Sequence, residues 1–230
     1  MSPIGYPCYK AKDSQEKLDL PDKMASGQQK SLGLGDIEDG PITTIKKIGV
    51  SNNEKFVKYK VHYEAKIEEW GRQGGREFHN YIAMDEFHML NHKEKPWVLF
   101  DTNIDNSRKT MREFQDSSSS SKLPIEPWEF DLKRLIKEEF ENITGGHFSN
   151  VQLQDVESAA LWGPDVSDSE DWKKFSNLGE IKHIQLQAEF KNSTVSFGLS
   201  MRGSVVVNTS LPESQRLDLV EEILEKIKTS

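Results

Sequence analysis

The sequence predicts an α+β fold: an antiparallel β-sheet packed by two amphipathic helices, with an irregular N-terminal arm. Three observations carry this. Residues 56–67 and 183–201 alternate between apolar and polar, the period of a half-buried strand. Residues 132–140 and 217–227 carry apolar stripes at helical spacing. Residues 1–40 hold Pro3, Pro7 and Pro21, then Gly27, Gly33, Gly35 and Gly40, which interrupt regular elements.

Residues 1–40 are read as a flexible arm whose only aromatics are Tyr6 and Tyr9. Tyr6-Pro7-Cys8-Tyr9 suits a docking peptide that orders on a partner or on the chain's own domain. Residues 41–115 form a mainly β segment with short helices. In its best strand Val57, Tyr59, Val61, Tyr63, Ala65 and Ile67 face one way, and Lys58, Lys60, His62, Glu64 and Lys66 the other. Gly71–Gly75 supplies a turn. Phe78, Asn80, Ile82 and Met84 fit a returning strand, while 81–91 also fits a short helix. The continuous apolar run Trp97–Phe100 suits a central strand.

Residues 116–123 are a Ser-rich linker or loop. Residues 124–230 form an α+β segment, either separate or one domain with 41–115. A helix is expected from Pro127 to Asn142, with Pro127 in the first turn. Leu132, Leu135, Ile136 and Phe140 line one face, and Gly145-Gly146 act as the stop. The C-terminal part reads as a meander: strands through Ile184–Phe190, Val195–Met201 and Val205–Val207, with turns at Lys191–Thr194 and Gly203-Ser204. Ser210 and Glu213 make a capping box. The helix it opens carries Leu217, Val220, Ile223, Leu224 and Ile227 on one stripe.

Charge narrows the function. The 230 residues hold 30 Lys+Arg and 38 Asp+Glu, a net charge of -8. Residues 1–40 carry 5 positive and 7 negative groups, residues 41–122 carry 14 and 12, and residues 123–230 carry 11 and 19. The acidic final segment opposes phosphate backbones, which disfavours nucleic acid there. Lys58, Lys60 and Lys66, with His62 among them, project together as the one RNA-binding alternative. Tyr59 and Tyr63 fall on the other face, where they cannot stack on bases.

Metal chemistry has one candidate set. His88 and His92 are four residues apart and would share a helix face. His79 lies nine residues before His88, and Asp85 could add a carboxylate, giving a metal-assisted enzyme as a second alternative. Asp101, Asn103 and Asp105 have the opening spacing of a calcium loop, but Arg112 stands where its bidentate acid belongs. Gly27–Ser31 lacks the glycine that precedes the lysine of a phosphate loop. No Gly-x-Ser-x-Gly elbow occurs. No catalytic residue and no cofactor are expected.

A single cysteine excludes a disulfide framework, and no apolar run approaches a membrane span. The opening residues lack a secretory pattern, so a reducing, cytoplasmic location is expected. The expected function is a non-catalytic protein-interaction or assembly protein, with self-association one form of it. Its partners would be proteins, itself among them. A structural, adaptor or viral accessory or matrix-like protein fits that description.

Overall fold

The strictest alternation in the sequence makes the longest strand pair. The computed structural model describes residues 3–12, 17–26, 42–67, 71–73, 75–78, 81–115, 122–138, 140 and 142–229. In chain order its strands are β1 (Ile4–Ala11), β2 (Lys23–Ser26), β3 (Thr43–Val50), β4 (Phe56–Ile67), β5 (Gly71–Gln73), β6 (Arg76–Phe78), β7 (Tyr81–His92), β8 (Trp97–Asp101), β9 (Ile125–Pro127), β10 (Ile143–Leu153), β11 (Val156–Trp162), β12 (Glu180–Phe190), β13 (Ser193–Ser200) and β14 (Ser204–Val207). Its helices are α1 (Ile104–Gln115), α2 (Leu132–Glu138), α3 (Glu170–Leu178) and α4 (Glu213–Thr229). Among the described residues, antiparallel strands with four helices make the fold α+β. Two compact units divide it: Met1–Lys10 with Glu126–Ser230, and Ala11–Ile125.

In the Ala11–Ile125 unit the strand order is β8-β7-β4-β3-β2, antiparallel throughout. β4 and β7 pair over their whole length, from Phe56 opposite His92 to Ile67 opposite Tyr81. Residues 81–91 are therefore strand and not helix. β4 offers them a full ladder, with Phe87 and Met89 buried on the side of Val61 and Tyr59, and the strand buried on both faces from Met89 to His92. Tyr59, Val61 and Tyr63 enter the same core, as do Met111 and Phe114 of α1. Asn103 precedes α1, and its side-chain oxygen accepts from the Asn106 amide at 2.8 Å. The calcium-like spacing of 101–107 is thus spent on a helix N-cap.

The described parts of the expected irregular arm, residues 3–12 and 17–26, are built into the fold. β1 pairs antiparallel with β14, Ile4 opposite Val207, and β2 pairs with β3. Leu18 and Leu20 are buried, and their carbonyls accept from Asn91 Nδ2 (3.0 Å) and Tyr59 Oη (3.2 Å). Pro7 is tolerated because the Cys8 amide points to Gly203 O (2.7 Å), so the Pro7 nitrogen points away from β14. Residues 27–41 and 116–121, with their Gly-rich and Ser-rich stretches, lie outside the described residues.

Burial also makes Cys8 inert. It is 1% exposed, its thiol donates to Tyr6 O at 3.1 Å, and desolvation pushes its pKa far above the usual thiol range. A thiol reagent at neutral pH is expected to label the native protein at least about a hundredfold more slowly than the unfolded chain. Equal labelling rates would show that β1 is not docked.

In the other unit the strand order is β11-β10-β12-β13-β14-β1, again antiparallel. Lys191 (φ 49°) and Asn192 (φ 64°) join β12 to β13 in a two-residue turn. The helix expected from Pro127 to Asn142 is shorter, at Leu132–Glu138. The residues before it stay extended because their amides are taken: Trp128 N–H donates to Cys8 O, and Phe130 N–H to Met201 O. Asp131 Oδ1 then accepts from the Arg134 amide at 3.1 Å and opens α2. α4 buries Leu217, Leu219, Val220, Ile223, Leu224 and Ile227. Among the described residues no helix is long and apolar enough to cross a membrane.

Candidate functional site

The residues that sequence chemistry singles out fall in three places. Tyr6 and Tyr9 are each 2% exposed, and Tyr6 Oη accepts from Arg216 Nε at 3.2 Å. They order on the chain's own fold and offer no surface to a partner. His92 is also buried, edge-on to Phe56 and Trp97. Its Nδ1 accepts from the amides of Glu94 (3.1 Å) and Lys95 (3.0 Å), which caps the turn before β8. On a strand, His88 and His92 stand about 13 Å apart. His88 instead faces Asp101 at 3.5 Å, and Asp85 accepts from Asn106 Nδ2 at 3.3 Å. His79 lies outside the described residues. No group of three His, Cys, Asp or Glu among the described residues could hold a metal ion.

The lysine face does assemble. Lys23, Lys46 and Lys60 stand opposite one another on β2, β3 and β4, with Lys58 and Lys66 along β4. Residues directly opposite share a face. The cross-strand register brings Glu86 of β7, which pairs with Lys60 at 2.8 Å and lies 3.6 Å from His62; Glu64, on the same strand as His62, lies 3.2 Å from it. The Ile42 amide, then His62, hold the Glu64 carboxyl below its ordinary range; Lys60 does the same for Glu86. Tyr59 and Tyr63 are buried on the other side. This is a mixed-charge surface, without the interleaved rings that single-strand binding uses from this strand.

A different surface emerges in the unit that contains β10–β14. Trp162, Gly145, Gln185, Gly198, Val206 and Gly5 stand opposite one another across its six strands. The next row on that face is Ala160, His147, His183, Ser200, Ser204 and Pro7. None of these positions is Asp, Glu, Lys or Arg, in a chain that is 30% charged. The face therefore presents ring surface and neutral hydrogen-bonding groups. It is open over β11 and β10, where Trp162, Ala160 and His147 are exposed, and closes toward Ser204 and Pro7.

Two glycines shape it. Trp162 lies across Gly145, where a Cβ would overlap the indole, yet the ring is 65% exposed. His183 lies across Gly198, where a Cβ would come within 2.5 Å of its Cε1. Burial lowers the pKa of His183; its hydrogen bond to Gln185 opposes this and the nearby His147 reinforces it. Burial thus favours the neutral form of the His183 imidazole. Gln185 is fixed in turn by donating to Ser196 Oγ at 2.7 Å. Ring platforms on glycine, flanked by amide and hydroxyl groups, suit a neutral partner surface.

Sequence reading passes over Trp162, Gly145, His147, His183 and Gly198. Gly145-Gly146 read as a helix stop but stand inside β10. A glycine within a strand signals close approach of another group. That signal identifies the position and not the ring that fills it. No known protein-family model matches the chain, and no curated protein matches it.

Proposed function

We propose that the chain is a non-catalytic protein-interaction or assembly protein that docks a protein partner on the uncharged face and edge around Trp162. One observation carries this: a tryptophan 65% exposed yet seated on a glycine built to receive it. Tryptophans dominate the energetics of interfaces, and interface cores are depleted in charge. In this reading the β12–β14 meander is covered on one face by the amphipathic helices α2 and α4, which leaves the opposite face for the partner. The buried Leu132, Leu135, Leu217, Val220 and Leu224 support that cover. The single cysteine, a buried free thiol, fits a reducing, cytoplasmic location.

The test compares the whole protein with its Trp162→Ser variant as baits in an extract of the source cells. Trp162 is mostly exposed, so the variant is expected to fold normally by circular dichroism. At least about a tenfold loss of a specific protein partner is expected, the usual effect of removing an interface anchor. Equal recovery by both baits would overturn the proposal.

A further inference from the structure

We infer that β11 is an edge on which a second copy of this chain docks, strand to strand, in an antiparallel register centred on Ala159. This rests on the interaction reading above and names its partner.

β11 ends the strand order of its unit and, among the described residues, pairs on one side only, with β10. Gly163 N–H donates to Thr144 O at 3.1 Å, so Trp162 and Gly145 form a pair that is not hydrogen-bonded to each other. In an antiparallel ladder such residues turn their N–H and C=O away from the neighbouring strand. The alternation carries on through Ala160 and Ser158, which stand opposite His147 and Ser149. Ser158, Ala160 and Trp162 thus aim their donors and acceptors outward. An edge of this kind takes another strand unless proline, lysine or a bulge guards it. Val156–Trp162 contains no proline and no lysine, and the irregularity in its pairing with β10 puts the extra residues on β10, between Ser149 and Leu153, not on the edge strand.

The strand is its own complement. Overlap of all seven residues sets Val156 against Trp162 of the second copy, and Ser158 against Ala160. Small residues then lie at the two-fold axis, where backbones approach. At each end the exposed indole meets valine. The one charged residue, Glu157, opposes Leu161 of the second copy. The two Glu157 carboxylates end up four residues apart along the strands, about 13 Å, beyond the screening length of about 8 Å at physiological salt. Parallel pairing would set them side by side. Charge therefore selects the antiparallel self-pairing.

Light scattering on the full chain across the micromolar range tests this, with two variants at exposed positions. The wild type is expected to dimerise. Ser158→Lys with Ala160→Lys sets lysine against lysine at both crossings and weakens the dimer at least about tenfold. Ser158→Glu with Ala160→Lys sets opposite charges at the same crossings and restores it. A wild type that stays monomeric overturns the inference. So does a dimer indifferent to the lysines, or one that S158E/A160K fails to restore. Loss of a different partner by the Trp162→Ser bait would leave the interaction reading standing even then.

Discussion

Replacing Gly203 by alanine is expected to destabilise the protein by about 4 kcal/mol, the largest effect expected among the described glycines. Gly203 has φ 78°, a conformation that alone costs a residue with a Cβ about 1 kcal/mol. The remainder comes from what surrounds it. A Cβ would overlap the carbonyl oxygen of Trp128, a backbone atom that cannot rotate aside. That segment is itself pinned: Trp128 N–H donates to Cys8 O at 3.0 Å, and Phe130 N–H donates to Met201 O at 3.1 Å. Gly203 O accepts from the Cys8 amide at 2.7 Å. One turn therefore holds both β1 and the approach to α2, and moving either breaks the hydrogen bonds of the other. Denaturant unfolding measures the loss. Gly49→Ala is the control: at φ 146° with nothing within 4 Å, it meets the backbone cost alone, about 1 kcal/mol. If G203A costs no more than G49A, the packing argument is wrong.

What was legible in the sequence follows a simple physical division. β4 and β13 announce themselves because one face is buried and the other wet, so the environment is written into the order of residues. β1 does not, because Tyr6, Pro7, Cys8 and Tyr9 are buried in succession and leave no period of two. Its partner β14 lies some two hundred residues away, which no local pattern reveals. β7 is a tie between periods. His88 and His92 suit a helix face as well as a strand, and only the twelve-residue ladder with β4 decides it. The lysines of β4 were readable as a face, but the acid that offsets Lys60 arrives from β7 through cross-strand register. Trp162 was unreadable as a site because its seat, Gly145, comes from a different strand.

The adjacent glycines of β10 give the second large effect. Successive strand residues point to opposite faces, so Gly145 receives Trp162 outside and Gly146 receives Trp172 of α3 inside. The two indoles differ in what surrounds them. Trp172 is 4% exposed, edge-on to Phe148 at 5.0 Å, and its amide donates to the cap Ser169 at 3.1 Å. It has nowhere to go. Gly146→Ala is therefore expected to cost about 3 kcal/mol, the upper range of overpacking a core. Trp162 can swing into solvent, so Gly145→Ala is expected to change stability by less than about 1 kcal/mol, with the strand preference for alanine offsetting part of the loss. Yet Gly145→Ala should unseat the ring and reduce partner binding much as Trp162→Ser does. Chemical denaturation and partner recovery, measured on both variants, separate the two roles. Equal destabilisation by both would mean that the outer indole is as fixed as the inner one. Unchanged binding by G145A would mean that the glycine seat has no part in recognition. The expected split, stability from one glycine and binding from its neighbour, follows from the two-residue period of a single strand.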